Sequence, residues 1–178
     1  MSTLDPRDPL VLDIRELGRR AGSMLEVDRT VPAPGDLGAG VAVVAEGSDL
    51  ELSVRLESVV EGVLASGTAS VTVVGECARC LDPVEWDETV AFSELFVNEP
   101  GPDGEELPVL DGDLLDLEPV VRDAVVLALP LAPLCSQDCP GLCIQCGARL
   151  ADDPGHAHEV IDPRWAGLSG LETTQKED

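Results

Sequence analysis

Six cysteines and two histidines supply the chemistry of which this sequence is capable. Cys77 and Cys80 form a C-x2-C pair, and 54 residues further on Cys135, Cys139, Cys143 and Cys146 follow as C-x3-C-x3-C-x2-C. His156 and His158, the only histidines, come ten and twelve residues after Cys146. Eight thiol and imidazole donors are the number that two tetrahedral zinc ions require. Cys143-Ile144-Gln145-Cys146-Gly147 has the form of a metal knuckle: the two intervening residues curl so that both thiolates face one ion. Gly147 can take a positive φ and turn backbone N–H groups toward sulfur. The expected partition joins Cys77 and Cys80 to Cys135 and Cys139, and places Cys143, Cys146, His156 and His158 in a second, sequence-local site. The alternative is one site from Cys135, Cys139, Cys143 and Cys146, leaving Cys77, Cys80 and the histidines to pair or stay empty. Cys135, Cys139 and Cys143 are four apart, as on one helix face, but Pro140 and Gly141 argue that no helix runs through. Four protein ligands leave no coordination position for a water, so the one or two Zn2+ ions expected are structural.

Other uses of the cysteines compete. Disulfides fit a secreted protein, yet the N-terminus, Met1 to Asp8, has no basic start followed by an apolar stretch. A thioredoxin-type redox pair sits at a strand-to-helix turn, whereas Cys77 and Cys80 follow a strand and precede Leu81-Asp82-Pro83. A thiol redox or zinc-buffering protein is the second function class. Phosphate loops, dinucleotide fingerprints and nucleophile elbows do not occur in the sequence. The single lysine, Lys176, is near the C-terminus and no Schiff-base candidate. The chain is not expected to be an enzyme.

Charge narrows the partners. The 178 residues hold 35 acids against 11 Lys and Arg, a formal net charge of −24, with 2 Trp, 2 Phe and no Tyr. Such a chain neither neutralises phosphates well nor offers a platform for stacking bases. The longest near-continuous apolar run, Ala124 to Cys135, is broken by Pro130 and Pro133 and falls short of the ~20 residues that span a bilayer. A cytoplasmic acidic protein with basic partners, and no membrane, is expected. From residue 81 to 121 there are 13 acids and no Lys or Arg, so the stretch 82–118 is the expected docking surface. Arg15, Arg19 and Arg20 form the one dense basic patch: a solvated face, or with Arg79 a small island for weak RNA contact. Between two ligands, Arg79 reads most simply as an ion pair steadying the thiolates.

These groups need a scaffold, and the apolar pattern supplies one. Residues 9–17 read as a short strand entering a turn or brief helix, and 32–40 as a Pro/Gly loop. From residue 50 the period is two: Leu52, Val54, Leu56, Ser58 and Val60 on one face, a turn at Ser66-Gly67, then Ala69, Val71 and Val73. Val84, Trp86, Val90 and Phe92 continue it, and Trp86, Phe92 and Phe96 read as core. Residues 98–113 form a loop. A helix at about 116–129 is capped by Asp116, carries Pro119 in its first turn and ends at Pro130. Its buried face is Leu117, Val120, Val121, Ala124, Val125 and Ala128. The fold class is α+β: a mainly antiparallel β-sheet meander covered by one helix. Residues 1–134 make the β domain, and 135–171 a Cys/His-rich zinc-binding segment closing with a short helix whose Trp165 docks. Residues 172–178 are expected to be a disordered tail.

Taken together, these motifs resemble one family. Cys77-Ala78-Arg79-Cys80-Leu81 is similar to the C-x-R-C-L signature of the YceD proteins, the bacterial large ribosomal RNA subunit accumulation family. The early Leu12-Asp13-Ile14 strand, Ala128-Leu129-Pro130-Leu131, Cys135 with Asp138-Cys139-x-Gly141-Leu142-Cys143-x-x-Cys146-Gly147, and Asp162-Pro163-Arg164-Trp165 with Leu168 resemble it too. The similarity runs over about residues 9–171. Where many relatives carry C-x-C after the knuckle, this chain has His156-Ala157-His158, which keeps ligand chemistry while changing the donor. The resemblance implies a role in synthesis, processing or stability of 23S ribosomal RNA and in large-subunit assembly, and it brings no catalytic residues. The implied partner is a basic large-subunit ribosomal protein or pre-ribosomal particle.

Overall fold

The computed structural model describes residues 4–18, 20–100, 107–158 and 164. Among these, the elements in chain order are β1 (Val11–Asp13), β2 (Met24–Pro32), β3 (Gly38–Ala39), β4 (Ala42–Val44), β5 (Asp49–Ser58), β6 (Gly62–Glu76), β7 (Pro83–Val97), β8 (Leu114–Asp116) and α1 (Glu118–Ala128). Period-two alternation builds the main sheet. Leu50, Leu52, Val54 and Leu56 of β5 are buried while the residues between them face outward. Ala69, Val71 and Val73 of β6 and Val90, Phe92 and Phe96 of β7 continue that apolar face. Trp86 is half-buried and packs against it.

All pairings within the named strands are antiparallel. β7 pairs along the whole length of β6, so β5 and β4 share the opposite edge, β5 along Val63–Val71 and β4 along Val73–Gly75. β5, β6 and β7 form the expected meander. β2 departs from it: the chain comes back to pair with β2 at β5 only after the β3–β4 excursion. β1 and β8 make a separate two-stranded ribbon whose Leu12 and Leu115 lie opposite each other and join the same core.

α1 closes that core with Val121 and Val125, and Leu117 before it and Leu129 after it are also buried. The guanidinium of Arg122 donates to the backbone oxygens of Gly35 (2.9 Å) and Asp36 (2.8 Å), and pairs with Glu118 one turn back (2.6 Å). These bonds tie α1 to the loop before β3. Pro119 sits in the first turn, and Leu129 is extended, as a residue before proline must be.

Several expectations change. Ser66-Gly67 lies inside β6, and the chain turns at Val59–Glu61, where Val60 is solvent-exposed rather than on the apolar face. Gly67 is there for clearance: a Cβ would stand 2.1 Å from the carbonyl oxygen of Ser53 on β5. Asp116 accepts the backbone N–H of Glu118 at 2.9 Å, but Leu117 occupies the cap position. Ala128 faces solvent and Leu129 takes the buried place assigned to it. The 32–40 loop holds the short strand β3, and residues 9–17 turn after β1 without a helix. β2 and β4 were not expected. In β2, Arg29 interrupts the apolar row of Leu25, Val27 and Val31, its guanidinium donating to the backbone oxygen of Pro9 at 3.2 Å. Arg19, the proposed C-terminal helix with Trp165, and residues 172–178 lie outside the described residues.

Candidate metal centres

A strand pair and a helix exit bring the first four cysteines together. β6 ends at Glu76, and Cys77 to Asp82 form the connection into β7. The Cys77 N–H donates to the Asp82 oxygen (2.8 Å) and the Leu81 N–H to the Cys77 oxygen (2.9 Å), which curls the C-x2-C so that both sulfurs point one way. From the other direction, Leu129-Pro130 ends α1 and leads the chain back. The Ala78 N–H then donates to the Pro133 oxygen at 2.8 Å, placing Cys135 beside the turn. Arg79 completes the arrangement. Its guanidinium donates to the backbone oxygens of Gln137 (3.2 Å) and Cys139 (2.9 Å), so it fastens the second pair of ligands by hydrogen bonds to carbonyls rather than by the expected ion pair.

The second cluster repeats the same knuckle. The Cys143 N–H donates to the Ala148 oxygen (2.8 Å) and the Gly147 N–H to the Cys143 oxygen (2.8 Å), the same two bonds at the same spacing as around Cys77. In each knuckle the residue after the second cysteine has a positive φ, +73° at Gly147 and +62° at Leu81. A left-handed conformation is expected of Gly147 and costs a leucine roughly 1–2 kcal/mol. His156 and His158 reach back to this knuckle with their Nε2 atoms 2.9 Å apart and each 3.2 Å from the Cys146 sulfur. The Nδ1 of His156 faces the Asp153 carboxylate at 3.7 Å, the side-chain neighbour that orients a ligating imidazole.

The geometry groups Cys77, Cys80, Cys135 and Cys139 in one cluster and Cys143, Cys146, His156 and His158 in another, the ligand atoms of each within 4.8 Å of one another. In the first, Cys77 and Cys139 sulfurs are 3.8 Å apart and Cys80 and Cys135 sulfurs 3.6 Å. A bond between sulfurs is about 2.05 Å long, and all six cysteines are free thiols. Around an ion with about 2.3 Å bonds to sulfur, the edge of a tetrahedron is about 3.8 Å. The donors therefore fit a metal ion. Cys77 and Cys139 are buried, Cys80 and Cys143 half-buried, Cys135 and Cys146 exposed.

Electrostatics point the same way. Backbone N–H groups of Cys135, Cys80 and Arg79 aimed at the Cys77 sulfur lower its pKa to about 6. N–H groups of Cys146 and Gln145 do the same for Cys143, also to about 6. At Cys80 the Asp82 N–H pulls downward, but burial and the neighbouring thiols outweigh it and push the group up to about 12. The Cys139 thiol heads the causes that raise Cys135. One thiolate per cluster is thus stabilised by the backbone, while Cys80 and Cys135 are held toward the protonated thiol.

Two contacts weld the clusters into one block. The Leu142 N–H donates to the Arg79 oxygen (3.1 Å), and Arg149, beyond the second knuckle, pairs with Asp82 inside the first turn. The sequence reading missed Asp82, Arg149 and the Pro133 carbonyl as supports. Their partners lie 55 to 67 residues away in the chain, so no local sequence pattern marks them. Of the other cations considered for RNA, Arg15 pairs with Asp13.

A family described as large ribosomal RNA subunit accumulation protein YceD matches residues 65–172, a span that holds all eight donors. An uncharacterized protein of Mycobacterium tuberculosis (strain H37Rv) is 48% identical over 166 residues, covering 90% of this chain and 80% of its own. One from Mycobacterium leprae is 41% identical over 172 residues, 92% of this chain and 77% of its own. More distantly, a maize protein called large ribosomal RNA subunit accumulation protein YCED homolog 1, chloroplastic, is 26% identical over 157 residues, 82% of this chain and 47% of its own. No solved structure matches the chain.

Proposed function

The chain belongs to the YceD family of large ribosomal RNA subunit accumulation proteins, and from that premise we propose that it is a non-enzymatic factor for large ribosomal subunit production. It acts in the cytoplasm on the synthesis, processing or stability of 23S ribosomal RNA. The observation that carries the reading is the match over 65–172, which holds the whole double cluster. The clusters hold Zn2+, which supplies structural cross-linking when bound and, in small sites, about 10–16 kcal/mol toward folding. Cys77, Cys80, Cys135 and Cys139 hold one ion, and Cys143, Cys146, His156 and His158 the other. Four protein ligands on each leave no position for a reacting water.

Partner choice follows from charge. A net −24 body does not compete for RNA phosphates, but it attracts a basic ribosomal protein and shields it before or during assembly. Among the described residues no helix is long and apolar enough to cross a membrane. The test is the ratio of large- to small-subunit ribosomal RNA, with ribosome gradients, in cells lacking the gene. Selective loss of the large-subunit RNA, restored by wild type and not by C77A/C80A, is expected. An unchanged ratio overturns the reading.

A second reading has one observation in its favour. The Cys143–His158 cluster lies at the surface, with Cys146 exposed, which suits zinc buffering or thiol exchange. Zinc transfer to a chelating acceptor by wild type, and its loss in a folded C143S/C146S variant, distinguishes that function.

A further inference from the structure

β7 has an open edge. Its 15 residues pair with β6 along one side, and among the described residues the other side meets backbone only at the last residue. There the Val97 N–H donates to the Pro108 oxygen (2.9 Å) and the Leu110 N–H to the Val97 oxygen (2.9 Å), a parallel bridge. This edge therefore already accepts an extended segment at one end. Upstream of that bridge a groove of about 430 Å³ separates the edge from α1. Ala91, Phe92, Ser93 and Glu94 form one wall, consecutive residues as an edge-on strand presents them. Val120, Asp123 and Ala124 of α1 face them.

The rim has one sign of charge. Glu94 and Asp123 are the charged residues that line the groove, and the other charged residues of β7, Glu85, Asp87 and Glu88, are acids as well. Arg122, the one cation of α1, is engaged with Glu118 and the carbonyls of Gly35 and Asp36. A long strand whose outer N–H and C=O groups have no backbone partner among the described residues, beside a helix, is the geometry of strand addition. An acidic rim rejects nucleic acid and acidic chains, and favours basic ones.

The geometry points to this groove as the docking site for an extended, lysine- or arginine-rich segment of a partner protein, which adds to β7 as a further strand. The inference deepens the proposed function and rests on its basic partner. The segment's backbone pairs with β7, its apolar side chains enter between Phe92 and Ala124, and its cations meet Glu94 and Asp123.

The probe is a fluorescent ten-residue peptide of alternating Lys and Val, tested against the full chain. Its control has the same sequence with every second amide N-methylated, which keeps the charge and removes strand pairing. The plain peptide is expected to bind at least tenfold more tightly, and to slow exchange of those β7 amides that exchange fast without it. A124W, which fills the groove, and E94K/D123K, which reverses its two lining charges at one half-buried and one exposed position, should each weaken binding at least tenfold with unchanged far-UV circular dichroism. Equal binding of the two peptides, or wild-type binding by E94K/D123K, overturns the inference. So does protection of the whole β7 edge before peptide is added: if it depends on concentration a second copy occupies the groove, and if not, another part of this chain does. E94K/D123K also separates the two readings in cells. If it restores the ribosomal RNA ratio that the null strain loses, the groove fails and the ribosomal role stands. If peptide binding is specific but the null strain has a normal ratio, the groove stands and the ribosomal role fails.

Discussion

Leu81 stands where its knuckle calls for glycine. At φ +62° it bears the same hydrogen bond as Gly147, with a largely exposed side chain that repays little of the cost through burial. Leu81→Gly removes that strain but adds freedom to the unfolded chain, so stability should change by less than about 1 kcal/mol. Leu81→Val puts a branched Cβ in the left-handed region and should cost about 1–2 kcal/mol beyond the leucine. Urea midpoints of the two variants check this, and equal midpoints would contradict the knuckle geometry. Asp13 makes a second case. The Arg15 guanidinium, at 2.8–2.9 Å from Nε, and the Arg15 backbone N–H hold its carboxyl at about 2. A depressed folded pKa means that its contribution is complete above the ordinary carboxylate range near about 4 and is lost as pH falls through about 2. Carbonyl chemical shifts of Asp13 should titrate near 2, and a midpoint near 4 would show the pair is not formed in solution.

At the scale of elements, the sheet and the cysteine block depend on different forces. β5, β6, β7 and α1 share an apolar core, whereas the block from Leu131 to His158 has no helix or strand and few buried apolar side chains. Its shape rests on the knuckle hydrogen bonds, Arg79, Arg149 and the metal ligands. Removing metal with a chelator should therefore leave the far-UV spectrum of the sheet nearly unchanged while amides of Cys135–Leu150 lose protection. Retained protection in metal-free protein would mean that the clusters do not need an ion to hold their shape. The same division explains what was readable from sequence. Wherever side chains alternate cleanly, as in β5 and the second half of β6, the strand was evident. Gly67 looked like a turn because clearance from a neighbouring strand and turning ask for the same residue. β2 was hidden by Arg29, whose partner is a backbone oxygen 20 residues away. The donor set was legible because ligand chemistry restricts residue types. Asp82 and Arg149 were not, since an ion pair between residues 67 apart leaves no local pattern.

The whole molecule carries a charge that its core must overcome. At −24 over 178 residues, carboxylates repel one another across the folded surface more than in an expanded chain. Added salt screens this, with a Debye length falling from about 30 Å at 0.01 M to about 8 Å at 0.15 M. Thermal midpoints should accordingly rise with sodium chloride over that range, while affinity for any basic partner falls. A midpoint independent of salt would show that the charges are already locally compensated. The acids are unevenly spread: 13 of them lie in residues 81–121, the stretch that provides β7, β8 and the start of α1.

That stretch also separates the two halves of the first sulfur cluster, and this has a consequence for the order in which the protein is made. Cys77 and Cys80 are synthesised in the connection between β6 and β7, but Cys139 comes 59 residues after Cys80. At about 5–20 residues per second the interval is about 3–12 s. During that time a nascent chain holds two thiols of an incomplete quartet, while most of its large sheet can already pair. The quartet can close only after β7, β8 and α1 have been made and the chain has turned back past Pro133. Its closure therefore marks the moment at which the acid-rich stretch is complete.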